Sequence, residues 1–162
     1  MWQNKFKAAL LPIRDKLFRL ALSITDNKED AEDIVQDVLL HVWQKEDWEQ
    51  IENIEAYCFR STRNRALDII ALKDNRAEAL PEDFDYPAQE DIAGKMEMQE
   101  QIDRIESLLS FLPEKQQTIF RLREIEELSY KEIASILNIT EEQVKINLFR
   151  VRRKIKEYAD KI

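Results

Sequence analysis

Residues 129–154 read SYKEIASILNITEEQVKINLFRVRRK. Two helix-start signals lie inside this stretch. Ser129 is followed three residues later by Glu132, and Thr140 three residues later by Gln143. In such a box the first side chain accepts from a free backbone N–H of the new helix, and the second reaches back to the cap. The first box opens a short helix carrying Ile133, Ala134, Ile136 and Leu137. The second opens a helix running to about Tyr158. Asn138-Ile139-Thr140 joins them, room only for a tight turn. Ala134 is small where the helices must approach closely, and Ile139 and Val144 pin the turn. This pattern is that of a helix-turn-helix, whose second helix lies in the major groove of DNA. That helix carries Lys145, Arg150, Arg152, Arg153, Lys154 and Lys156, which can neutralise phosphates. Gln143 and Asn147 have the length to reach base edges. Thr140 and Glu141 begin it. Glu141 and Glu142 complement the helix dipole but repel phosphate, and a Glu can accept from cytosine. The alternative is a plain helical hairpin with a solvated basic face.

Outward from this stretch, turn residues are scarce. The 162 residues contain one Gly and four Pro, too few for a β-sandwich or a doubly wound α/β fold. Hydrophobic residues make up 44%, enough for packed cores. The expected class is all-α: two small helical domains joined by a flexible acidic linker. Apolar spacing of three and four residues predicts helices over about 2–24, 27–45, 53–73, 95–109 and 113–125, besides the two above. Pro12 should kink or split the first. Asp26-Asn27-Lys28-Glu29 offers a cap for the second, whose inner face is Ala31, Ile34, Val35, Val38 and Val42. Residues 46–52 read as a polar loop containing Trp48. Pro113 stands at the favoured first position of its helix. From Lys73 to Glu100 three cations face nine carboxylates, with Pro81, Pro87 and Gly94 among them. The division is therefore 1–74, an acidic linker at 75–95, and 96–162.

Composition excludes several chemistries. With Gly94 alone, no glycine-rich phosphate loop can be built. One Cys, Cys58, and one His, His41, make neither a disulfide nor a common zinc site. No catalytic residue, metal or cofactor is expected. Asp30, Glu32, Asp33 and Asp37 could be imagined around a metal, but solvated helix charges explain them more simply. No apolar run approaches the roughly 20 residues that span a bilayer. Residues 1–5 lack the apolar core of a signal peptide. A cytoplasmic protein without membrane insertion is the expectation.

Two further segments stand out. On the helix from Asp30 to Trp43, a 100° projection puts Asp33, Asp37, Leu40 and Gln44 on one face, opposite Ala31, Val38 and Val42. An apolar Leu40 on an acidic face is either a docking surface or a stray leucine among solvated charges. The other segment is Phe59-Arg60-Ser61-Thr62-Arg63-Asn64-Arg65, with Tyr57 before it and Trp48 in the adjoining loop. Basic residues interleaved with aromatics suit unstacked bases. Core aromatics with surface arginines fit the same letters.

Together these segments resemble the extracytoplasmic-function (ECF) subfamily of the sigma-70 family of bacterial sigma factors. Residues 30–38, DAEDIVQDV, resemble region 2.2, and Leu17-Phe18-Arg19-Leu20-Ala21 resembles region 2.1. Ala56-Tyr57-Cys58-Phe59-Arg60 and residues 63–68 resemble regions 2.3 and 2.4. Residues 112–117 and 128–134 resemble region 4. The resemblance implies that Asp33, Gln36, Asp37 and Leu40 dock on the β′ clamp helices of core RNA polymerase. It implies that Trp48, Tyr57, Arg60, Arg63, Asn64 and Arg65 open the promoter −10 element and hold a flipped base. It further implies that Thr140, Glu141, Gln143, Lys145, Asn147, Arg150 and Arg153 meet the −35 element while their domain sits on the β flap. An anti-sigma factor is implied by family habit. The formal net charge of −8 then keeps the free protein off nonspecific DNA. Departures are Asn138 where the family often has Gly, and Ile146 and Asn147 where it has small and basic residues. Two rivals remain: an ordinary helix-turn-helix regulator, and a helical adaptor that binds only protein.

Overall fold

The computed structural model describes residues 2–74 and 98–160. Three helices form the first unit: α1 (Trp2–Thr25), α2 (Lys28–Gln44) and α3 (Ile54–Asp74). A 3₁₀ turn, Trp48–Gln50, lies between the last two. Four form the second: α4 (Met98–Leu109), α5 (Glu114–Phe120), α6 (Tyr130–Leu137) and α7 (Glu141–Asp160). There is no strand among the described residues. The linker at 75–95, with Pro81, Pro87 and Gly94, lies outside them.

The helix starts have local causes. Asn27, not Asp26, caps α2, its side chain accepting from the Asp30 N–H at 3.0 Å. Asp26 instead takes a positive φ of 50° and turns the chain out of α1. Asn53 serves α3 in the same way, accepting from the Ala56 N–H at 3.0 Å. Pro12 does not split α1: the helix continues through it to Thr25. Buried Leu10, Ile13 and Leu17 flank the proline and hold both halves on the core, while its own ring is exposed. Pro113 is one position earlier than expected, capping α5 with an extended ψ of 142°. After Phe120 the helix widens into a π-helical turn, Arg121–Ile125, which closes with the Glu126 N–H on the Arg121 carbonyl at 3.1 Å.

The α2 face expected to be inner is the buried one: Ala31, Ile34, Val35, Val38 and Val42. It packs with Leu17 and Ala21 of α1 and with Cys58, Phe59 and Ala66 of α3. The same continuous core extends into the second unit through Ile119, Leu122, Leu128, Ile133 and Ile136. A smaller cluster, Leu109, Leu112 and Val151, ties α4 to α7. Two helical units therefore share a packed seam, with α3 lying against α6.

Candidate nucleic-acid interface

The helix-turn-helix forms as its letters dictate. Ser129 Oγ accepts from the Glu132 N–H at 3.0 Å, and Glu132 Oε1 accepts from the Ser129 N–H at 3.4 Å. Asn138 ends α6 in the left-handed region at φ 55°, a conformation a short amide side chain tolerates. Thr140 Oγ1 accepts from the Gln143 N–H at 3.1 Å, and Gln143 Oε1 accepts from the Thr140 N–H at 3.0 Å. Val144, Leu148 and Val151 bury one face of α7. Glu141, Lys145, Arg150, Arg153, Lys154 and Lys156 are exposed.

The cations of α7 differ in their surroundings. Arg152 donates to Glu124 at 2.9 Å, which raises its pKa. Arg153 pairs with Glu157 at 3.3 Å in the open. Lys145 lies 5.7 Å from the Tyr130 ring centre. The two amides expected to read bases have protein partners. Gln143 closes its own capping box. Asn147 Nδ2 donates to the Gln143 carbonyl at 2.7 Å, and its Oδ1 accepts from Gln116 at 3.4 Å.

On α2, Asp33, Gln36, Asp37 and Leu40 are all exposed. Leu40 keeps 53% of its surface in water. Asp37 lies 3.9 Å from Arg65, so the acidic face borders the basic stretch of α3. Along α3, Tyr57 is half-buried under Lys45, whose Nζ stands 5.1 Å from the ring centre. Phe59 is buried, whereas Asn64 is exposed. Arg60 and Arg63 face the second unit. Arg60 donates to the Ser135 carbonyl at 2.6 Å and to its hydroxyl at 3.1 Å. Arg63 grips Glu114 with two bonds of 3.1 and 2.7 Å.

Trp48 does not stand free in its loop. It is 5% exposed and edge-on to Phe6 at 5.6 Å between ring centres, so it packs into the core of the first unit. Its apolar area draws it inward although its neighbours Asp47 and Glu49 are charged.

Three residues of the seam escape a reading of local patterns. Arg19 donates to both carboxylate oxygens of Glu126, at 2.8 and 2.9 Å, and this bond raises the arginine's pKa. Glu126 is itself buried. Glu114 and Glu126 look in sequence like ordinary surface carboxylates. Beside this clasp a groove of 540 Å³ remains between α1 and the second unit.

Comparison with known proteins follows the same division. Residues 12–77 match the family model described as sigma-70 region 2, and residues 102–155 match that of sigma-70, region 4. The chain belongs to the sigma-70 family. This sigma-70 family chain is 30% identical over 150 residues to the ECF RNA polymerase sigma factor SigE of Mycolicibacterium smegmatis. The match takes in 91% of the chain and 58% of that longer relative. It is 26% identical to ECF RNA polymerase sigma factor SigM of Bacillus subtilis, over 86% of each. The ECF resemblance read from residues 30–38 and 128–134 thus agrees with its curated relatives. Among solved structures, the sigma-70 family fold recurs in RpoE bound to the anti-sigma factor NepR from Bartonella quintana. The TM-score is 0.71 at 23% identity, covering 96% of this chain and 97% of that one. CnrH, solved with the cytosolic domain of CnrY, gives 0.71 at 20% identity, covering 98% and 89%.

Proposed function

We propose that the chain is an ECF sigma factor that binds core RNA polymerase and directs promoter-specific initiation. The observation that carries this reading is one chain holding both matched regions in order, with an exposed acidic face on α2 and a helix-turn-helix at α6 and α7. Asp33, Gln36, Asp37 and Leu40 dock on the β′ clamp helices. Leu40 supplies apolar area, and the carboxylates supply charge to a basic partner. Tyr57, Arg60, Arg63, Asn64 and Arg65 engage the opened −10 element, where stacking and a base pocket offset an unstacking cost of a few kcal/mol. The α7 cations Lys145, Arg150 and Arg153 meet the −35 backbone, with the second unit on the β flap. An anti-sigma factor holds the protein inactive.

The described arrangement is the resting one under this reading. Arg60 and Arg63 are engaged by Ser135 and Glu114. Promoter opening exchanges those partners for DNA, so the two units separate first.

Run-off transcription with core polymerase and a library of genomic fragments tests the proposal. Discrete start sites that depend on the protein are expected. Asp33→Arg with Asp37→Arg should abolish core binding in a pull-down while helical circular dichroism is unchanged. Core binding retained by that variant rejects the docking face, and no core binding by the parent rejects a sigma factor altogether.

A further inference from the structure

We infer that the outward edge of α7 reads thymine methyl groups through Ile146 and Phe149. This rests on the proposal that α7 enters the major groove of an upstream promoter element. The core face of α7 is Val144, Leu148 and Val151. At 100° per residue, Glu142, Ile146, Phe149 and Arg153 lie within about 50° of the opposite pole. That pole is the part of a reading helix that goes deepest into the groove. Ile146 is 48% exposed and Phe149 66% exposed, each large and apolar.

The polar readers are meanwhile committed elsewhere. Gln143 holds the Thr140 cap, and Asn147 is bonded at both ends of its amide within the protein. What remains on this face is Glu142, the ion pair of Arg153 with Glu157, and two apolar side chains. In the major groove the only apolar feature of a base edge is the thymine methyl. Side chains three apart on a helix have Cβ atoms about 5–6 Å apart. Base steps are about 3.4 Å, so the two methyls lie one or two steps apart.

Charge selects DNA over protein as the occupant. Lys145 and Arg150 flank the apolar pair and Arg153 continues it, all exposed. Cations on both sides of a narrow apolar strip match a groove with phosphates on both rims. A protein surface covering the same strip would have to bury or pair Lys145 and Arg150, Arg153 being paired already with Glu157.

The test uses holoenzyme assembled from core polymerase and the full chain, with promoter fragments recovered by run-off transcription. Each thymine of the upstream element is replaced in turn by deoxyuridine, which lacks only the 5-methyl group and keeps the base pair. One or two positions should respond, each weakening closed-complex binding about fourfold, the effect of exposing one methyl-sized group. Ile146→Ala with Phe149→Ala should bind more weakly and lose that sensitivity at the same positions. Ile146→Ser, a small change at an exposed site, should lose it at one. Uracil tolerated at every upstream thymine, with promoter-dependent transcripts intact, overturns the inference and leaves the sigma assignment standing. Sensitivity that survives in the double variant also overturns it. Absence of any promoter-specific transcript overturns the assignment beneath it.

Discussion

Cys58 shows what the core does to a single group. Its thiol is fully buried next to Phe59, and burial, with the nearby Glu55 charge adding, pushes its pKa up to about 12. A thiol held protonated is a poor nucleophile. At pH 8 an aromatic disulfide reagent should leave the native protein unmodified and react once urea unfolds it. Rapid native modification would place Cys58 outside the core. The same shift sets a pH limb. The folded pKa lies above the unfolded one, so the unfolded chain ionises first as pH rises. Stability should therefore be constant with respect to Cys58 below about pH 8.5 and fall as pH climbs toward 12. Urea titrations between pH 8 and 11 should show the fall, and Cys58→Ala should flatten it. At this scale the α2 face was legible because five buried residues obey the helical period. Trp48 was not. Its loop is polar and short, and Phe6, the partner that makes it a core residue, lies in another helix.

Elements are legible where their ends are encoded locally. Both capping boxes of the helix-turn-helix form, because donor and acceptor sit three residues apart and need no tertiary partner. Ser129→Ala should lower stability by about 1 kcal/mol, read as a smaller urea midpoint with an unchanged slope. A change near zero would mean that Glu132 alone secures the start of α6. Pro12 misleads for the opposite reason. Taken alone a helix-interior proline costs about 3 kcal/mol, while buried leucines and an isoleucine on either side keep α1 in one piece. The π-helical turn at Arg121–Ile125 has no sequence signature in RLREI at all. Glu127 follows it at φ 58°, so the chain reverses there without a glycine.

For the whole molecule, the seam between units is the part that no local pattern reveals. Its charged clasps join residues 107 and 51 positions apart, Arg19 with Glu126 and Arg63 with Glu114. Periodicity carries no information across such distances. Both pairs are part-exposed, so each contributes about 1 kcal/mol to closure. If additive, neutralising Glu114→Gln and Glu126→Gln together should shift the closed-to-open ratio about thirtyfold toward open. Small-angle scattering should then give a larger radius of gyration for the double variant, and high salt should move the parent the same way. An unchanged radius in both cases would assign the seam to its apolar contacts. The π-helical turn has one more consequence here. It contains a residue more than an α-helix would use, and each residue rotates a helix by about 100°. Glu126 comes directly after it and is aimed at Arg19 by that surplus. Deleting one residue between Arg121 and Ile125 would leave every clasp side chain present yet point the carboxylate a quarter-turn away. Whether the halves meet is then a matter of phase as much as of charge.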